Sequence, residues 1–568
     1  MTPITTPSST DVRKRPKANS HSLIVPGNVD RHAALCEQLR NRQITDLVDV
    51  SGSGTGTRGW IWGTITDIFY YLFVWIPRTW WYTLTSLPQL VLDPIGLGSA
   101  LAFAFVTTFA LFGSLVVSAI WRLPFVQSYW QPISDRKDIS LGNLAYPLIF
   151  EFDANPQNKQ IRDAAFKVMS DPMQADAKPS TDQERNFDLE ISKLLMMLSA
   201  LVYERKVGAY HKAALLAQQG KKLNKQFMCD DKVLTDAGID IGQKVDFADS
   251  KIKRVAREWG LNYASVSELA TNTSPLCGAF WHPYHNFIIL AFKGTDPVEF
   301  KEWAVDLTFN YTDGRGWLPG FTKVHAGFYK QIFPQDLNHA TGAFPYSQIR
   351  NAVSKIASEI RATSDSDHVN LYVTGHSLGA GLASLFYTRA ISSPKDFGQT
   401  EDGANQVFVR DAYCFGTPIV GDPDCISAFN QACHERDLDF PHALWRVTNR
   451  RDAVATMLPD AGDNNTLVHI SPLSQLHFAH IGQEIQLDND VGKVYTGPGT
   501  SLPVGTPVNI ITHLHQGGEG PKVSLPPVFS LLEWIPVVRR LVAHTPSSYW
   551  DRLTKVQAEN TIEYARSH

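Results

Sequence analysis

The chain has 568 residues, a formal net charge of -4, 43% hydrophobic and 19% charged side chains. A wholly disordered chain needs low hydrophobicity and high net charge, so that class is excluded, and without a basic excess no nucleic-acid partner is expected. Six cysteines with no CxxC pair and no Cys/His spacing argue against a disulfide scaffold or a zinc site.

Residues 1–58 are rich in Ser, Thr, Pro, Gly and basic side chains, with Arg13, Lys14, Arg15 and Lys17 clustered. They read as a disordered basic tail, with no apolar run that would make a cleavable signal peptide. Residues 59–121 read as a membrane segment. From Pro94 to Trp121 there is no charged residue, and Arg122 closes the stretch. A bilayer core of about 30 Å needs about 20 apolar residues in a helix, so one transmembrane helix is predicted over about 95–120. Upstream, Trp60–Leu92 is crowded with Trp and Tyr but carries Asp67, Arg78, Pro77 and Pro88. This part is expected to be interfacial or re-entrant. The uncharged span makes the protein an integral membrane protein, and the basic tail places its N-terminus in the cytosol. One span would send the remainder to the other side and a hairpin would return it; Asp67, Arg78 and the two prolines weigh towards one span.

Residues 122–185 read as a polar linker, and 186–568 as one catalytic α/β unit. Phe187–Arg205 has helical apolar spacing. Phe287–Phe292, Leu371–Thr374, Val407–Phe415 and Leu444–Val447 are short apolar runs with strand character. Strands interleaved with helices predict a mainly parallel sheet covered on both faces. Within Leu371–Gly381 lies G-x-S-x-G, between an apolar run and an Ala/Leu/Gly helix pattern. That is the strand–turn–helix context of a nucleophile elbow, with Ser377 lifted on a strained turn. The backbone N–H of Leu378, directly after the nucleophile, is one predicted oxyanion donor.

Gly375–Ala380 resembles the elbow of the class 3 (fungal-type) lipases, an α/β-hydrolase family of acylglycerol hydrolases. Phe287–Thr295, Trp303–Phe309, Val324–Phe328, Ala412–Gly421, Leu444–Val454 and Phe478–Glu484 resemble further family segments in the same order. In Ala412–Gly421, Ile419 stands where the family pattern has Arg. The resemblance covers about 187–560 and implies an α/β-hydrolase fold.

Ester hydrolysis by a serine needs a base and an acid that orients it, in the chain order Ser, Asp/Glu, His. Asp452 follows the Leu444–Thr448 strand in a loop and also matches the family's acid; Asp460 and Asp463 are weaker rivals. The candidate bases are His469, His477, His480, His513, His515 and His544. The resemblance makes His480 structural and points to His544, in a late segment similar to the family's D-H-x-x-Y, although Ala543 replaces Asp and the spacing to Tyr549 is one longer. His513 and His515 remain the rival pair. The resemblance also implies Thr295 as the second oxyanion residue and a lid over Asp296–Leu307, whose Val298, Phe300, Trp303 and Leu307 would make one apolar face.

The reading is a membrane-anchored serine ester hydrolase (a lipase) for acylglycerols, with no cofactor and no metal, and with a lipid ester substrate met at a membrane or lipid–water interface. A phospholipase A1 or galactolipase on the same machinery is the alternative. A non-catalytic lipase-like membrane scaffold is the reading from another class.

Overall fold

The structure, a computed structural model, describes residues 26–50, 60–85, 91–126, 128–129, 156–171, 185–227, 231–269, 276–294, 311–333, 344–364, 366–397, 407–434, 443–455, 479–488, 494–496, 508–514, 536–556 and 561–563. The strands in chain order are β1 (Arg185–Asp188), β2 (Asn262–Ser267), β3 (Cys277–Trp281), β4 (Phe287–Phe292), β5 (Tyr311–Thr312), β6 (Val324–His325), β7 (Val369–His376), β8 (Val407–Phe415), β9 (Leu444–Asn449), β10 (Gln483–Leu487), β11 (Val494–Thr496), β12 (Val508–Ile511) and β13 (Thr561–Glu563). Nine form one sheet in the order β13-β11-β10-β9-β8-β7-β4-β3-β2. From β4 through β7, β8 and β9 to β10 every pairing is parallel, while β2, β3 and β4 run antiparallel. This is the mainly parallel sheet of an α/β-hydrolase fold.

The sequence of β4 explains its central place. Phe-Ile-Ile-Leu-Ala-Phe is buried at every position, as a strand covered on both faces must be. Its alternate side chains feed two cores: Ile288, Leu290 and Phe292 one, Phe287, Ile289 and Ala291 the other. Helices Pro345–Thr363 and Leu378–Ser392 cover the first face. Helices Leu189–Leu201 and Pro546–Leu553 cover the second.

Two expectations need correction. Within the supposed disordered tail, Pro26–Val50 is a helix that buries Leu35 and Leu39 in the first core. His32, Leu35, Leu39 and Gln43 are its buried positions, a stripe spaced by three and four that polar neighbours hide from composition. Within the supposed linker, Pro156–Ser170 is a helix that buries Ile161, Ala165, Phe166 and Met169 in the second core. Asn370 on β7 donates to its last carbonyls, those of Met169 and Ser170, at 2.9 and 3.1 Å.

The apolar segment is a pair of helices. Trp60–Tyr70 continues through a π-helical turn, Tyr71–Trp75, into Ile76–Thr85. Pro77 comes just after that turn, where a wider helix accommodates its missing N–H and its ring. The second arm is Pro94–Trp121, capped by Asp93, whose carboxylate accepts from the Gly96 N–H at 2.9 Å. The arms are antiparallel. Asp67 meets Arg122 at 2.6 Å, the Tyr71 hydroxyl donates to the Thr108 carbonyl at 2.9 Å, and Trp80 donates to Thr108 Oγ1 at 3.2 Å. Pro94–Ile120 is long and apolar enough to cross a membrane.

Candidate active site

The parallel strands bring their C-terminal ends together. His376 at the end of β7 is level with Phe415 on β8, and Phe415 with Val447 on β9. Ser377 follows directly, at φ 60° and ψ -131°, a conformation that a non-glycine residue adopts only when its surroundings enforce it. Its N–H donates to the Phe415 carbonyl at 2.9 Å, and Leu378 then opens the helix Leu378–Ser392. Gly379 lets that helix start against β4, because a Cβ there would meet the Phe292 carbonyl oxygen at 2.1 Å.

Three side chains from three segments meet at this turn. His544 Nε2 lies 2.8 Å from Ser377 Oγ, and His544 Nδ1 lies 2.9 Å from both oxygens of Asp452. A carboxylate only accepts, so Nδ1 carries the proton and Nε2 offers its lone pair to the serine hydroxyl. Asp452 is fully buried and also accepts from the N–H groups of Val454 and Ala455, at 2.7 and 3.1 Å, and from the Tyr549 hydroxyl. Burial alone would raise its pKa. The charge and hydrogen bond of His544, with the Tyr549 and Ala455 donors, outweigh burial and hold the carboxyl below its ordinary value.

A second layer fixes the imidazole. His376 Nε2 donates to the His544 carbonyl at 2.7 Å, and Asn449 Nδ2 donates to the Ala543 carbonyl at 2.6 Å. Tyr203 lies 3.1 Å from His376 Nδ1 and closes that chain. Burial, and then His544 beside it, lower the His376 pKa to about 3, so its ring is neutral and a dipole rather than a second charge faces His544. Gly416, at φ 61°, passes under the pair, and a Cβ there would lie 2.9 Å from His544 Cε1 and 3.0 Å from Asp452 Oδ2.

The structure thus brings Ser377, His544 and Asp452 together and seats Leu378 at the helix N-terminus beside them. Thr295 and the lid positions Val298, Phe300, Trp303 and Leu307 lie outside the described residues, as do His469, His477, His515, Asp460 and Asp463. His513 lies elsewhere in the fold: it is 2.8 Å from Asp188, and its N–H donates to Glu190 at 3.0 Å. Those contacts reinforce the β1–β12 pairing. His480 is buried, and burial followed by Arg446 pushes its pKa well below the ordinary value. Tyr203, Asn449 and the Tyr549 contact with Asp452 were not anticipated. The signals available were the adjacency of Asn449 to Asp452 and of Tyr549 to His544 in the sequence.

Residues 289–461 match the class 3 lipase family. Phospholipase A1-II 1 of Oryza sativa subsp. indica is 26% identical over 224 residues, which cover 38% of this chain and 46% of that protein. Triacylglycerol lipase OBL1 of Arabidopsis thaliana is 24% identical over 188 residues, covering 30% of this chain and 33% of that protein. The chain therefore spans about half the length, or less, of these curated relatives. Among solved structures, the Rhizomucor miehei lipase propeptide complex is 20% identical over 41% of this chain and 58% of its own, with a TM-score of 0.27. Over residues 289–461, then, this chain is similar to the class 3 lipases.

Proposed function

We propose that the chain is a membrane-associated serine hydrolase that cleaves acyl esters of acylglycerols. The observation that carries this reading is the continuous chain of hydrogen bonds from Ser377 through His544 to Asp452. Ser377 Oγ attacks the ester carbonyl while His544 Nε2 takes its proton. The buried Asp452 carboxylate stabilises the imidazolium that forms and keeps its ring in register. The Leu378 N–H, at a helix N-terminus, and Thr295, three residues beyond the end of β4, are the proposed donors to the developing oxyanion. His544 then returns the proton to the leaving alcohol, and water deacylates Ser377 by the same steps reversed. In this reading residues 296–307 are a lid whose Val298, Phe300, Trp303 and Leu307 meet lipid when it opens.

A second reading, phospholipase A1 chemistry at the same serine, is favoured by the names of several relatives. Both readings require the catalytic unit to work at a lipid surface, and the long apolar helix Pro94–Ile120 supports that placement. The test uses the full chain in detergent against a panel of triacylglycerol, diacylglycerol, phospholipid and a soluble short-chain ester, with Ser377→Ala as control. Loss of the nucleophile typically removes on the order of 10⁶ in kcat. A Ser377→Ala protein that keeps a few per cent of wild-type turnover, or that still takes up a fluorophosphonate probe, overturns the assignment. The substrate that is turned over fastest separates the two readings.

A further inference from the structure

The chain before the apolar hairpin and the chain after it belong to one folded body. The helix Pro26–Val50 places Leu35 and Leu39 in the core beneath β2 and β3. His32 contacts Trp281 Nε1 at 3.2 Å and Thr363 Oγ1 at 3.1 Å, Arg31 pairs with Glu359 at 2.9 Å, and Gln43 donates to Glu268 at 2.7 Å. Each of those partners lies beyond residue 121. A bilayer crossed once between residues 60 and 121 would hold this helix and its partners on opposite sides, and every one of these contacts would be lost. They survive only when the chain enters and leaves the lipid through the same face.

The hairpin has the surface such an entry needs. Among the described residues, the large apolar side chains that stay exposed lie between Trp62 and Tyr129, with Phe247 and Leu541 the exceptions. Phe105, Phe109, Phe112 and Val116 form a stripe along one arm, and Phe69, Phe73, Trp81 and Leu84 extend it on the other. Soluble proteins rarely leave so much aromatic surface to water, and acyl chains are the occupant that matches a stripe without a polar pattern. The one charge left exposed amid it, Arg78, has a stem long enough to carry its head to the phosphate level. Asp67 takes no such route: it is 2% exposed and is paired with Arg122.

The remaining flank of the hairpin is occupied by the catalytic unit. Tyr71, Trp75, Phe103, Leu111 and Leu115 form one buried cluster with Ile419, against which Tyr311 also packs. Ile419 stands three residues beyond Gly416, the position that touches both His544 and Asp452. Tyr311 is the first described residue after the segment 295–310. The hairpin is therefore seated on the loop that leaves the triad.

We propose that residues 60–121 form a re-entrant hairpin that enters and leaves one face of a lipid layer. The N-terminal helix and the catalytic unit then share one side, and the seat on Ile419 holds the mouth of the Ser377 site against that layer. Substrate reaches Ser377 by lateral movement within the lipid rather than through water. The substrate side of this inference rests on the acyl ester hydrolase reading; the topology does not.

The experiment has two arms, both on the full chain. Glycosylation acceptors are placed ahead of Pro26 and after Tyr129, and the chain is synthesised with endoplasmic-reticulum microsomes and washed with alkaline carbonate. The chain stays with the membranes and the two tags are treated alike. One modified and one unmodified tag, or release by carbonate, overturns the hairpin. In the second arm, Ile419→Arg and, from the opposite side of the contact, Trp75→Ala are compared with wild type on diacylglycerol in phosphatidylcholine vesicles and on a soluble short-chain ester. Releasing the site from the surface lowers its effective substrate concentration, so the ratio of vesicle to soluble rates falls about tenfold in both variants. An unchanged ratio overturns the seat. A wild-type chain that hydrolyses neither substrate overturns the hydrolase reading instead and leaves the tag result standing.

Discussion

Tyr549→Phe isolates one hydrogen bond at the heart of the site. The phenol is fully buried; it donates to Asp452 and accepts from the Asn449 N–H at 3.2 Å. Burial, and then Asp452 beside it, raise its own pKa well above the ordinary value, so it is a hydroxyl donor at any working pH. A hydrogen bond to a charged acceptor contributes about 1.5–3 kcal/mol, and orphaning the Asn449 donor costs about 1–3 kcal/mol more. Removing the oxygen leaves ring packing intact, so a loss of roughly 3 kcal/mol is expected, with a fall in melting temperature on the order of 5 °C. The pH dependence identifies the source. The folded-state pKa of Asp452 is depressed, so its stabilisation is present above the ordinary carboxylate value and is lost as pH falls through the folded one. With one donor fewer the variant's folded pKa lies higher, by about one unit per 1.4 kcal/mol. The stability gap between the two proteins is therefore full at pH 7 and narrows below about pH 4. The assay is thermal unfolding of the detergent-solubilised chain from pH 7 to pH 3, with soluble-ester turnover alongside. A gap that is absent at pH 7, or that stays constant down to pH 3, refutes the argument.

Asp452→Asn should keep the fold and lower soluble-ester kcat by roughly 10³–10⁴, because an amide can hold the wrong tautomer of His544; steady-state kinetics check it. Gly416→Ala forces φ 61° on a residue with a Cβ and drives that atom to 2.9 Å from His544 Cε1, so both stability and kcat should fall, the backbone strain alone costing about 1–2 kcal/mol. His282 and His376 are each held to about 3 by burial. Lowered folded pKa values mean that the unfolded chain takes up protons first, so each group removes about 1.4 kcal/mol of stability per pH unit from about 6.5 down towards 3, read by unfolding scans. Arg122→Met leaves Asp67 buried without its partner, and loss of one member of a buried pair costs about 3–5 kcal/mol; the melting temperature of the detergent-solubilised chain should fall, and Asp67→Asn in the same chain should reverse most of the effect.

The legible parts of this chain were those whose chemistry sits in one short segment. Ser377 stands between a strand pattern and a helix pattern, and Asp452 lies three residues past the end of β9, so each is readable without knowing the rest of the fold. His544 depended on a resemblance, because several histidines follow Asp452 and spacing does not rank them. Long-range pairing was what could not be read. Asp67 weighed against a second buried arm only as long as Arg122, fifty-five positions away, was not known to face it. Pro77 counts against a second crossing in the sequence because the π turn before it is invisible in composition. The helix Pro26–Val50 has its apolar stripe diluted by charges whose partners, such as Asp246 for Arg40, lie far downstream. His376 read as a variable position of the elbow, and its support of the His544 carbonyl exists only once the chain has folded.

The helix Pro26–Val50 also has a history during synthesis. It leaves the ribosome before the hairpin, which follows within tens of residues, but Thr363, the partner of His32, is 331 residues later. At roughly 5–20 residues per second that is a delay on the order of 20–70 s. Throughout it, Leu35 and Leu39 have no core to enter, and the strands they will cover do not exist. Under the proposed topology the hairpin reaches lipid before residues 186–568 are made, so insertion precedes folding, and the early helix waits as an unfinished edge. Its docking closes a loop of very long sequence separation, the slowest class of contact to form. A chain cut to begin after the hairpin would finish synthesis without its first helix, leaving the indole N–H of Trp281 and the apolar ground under Leu35 and Leu39 open to a neighbouring molecule.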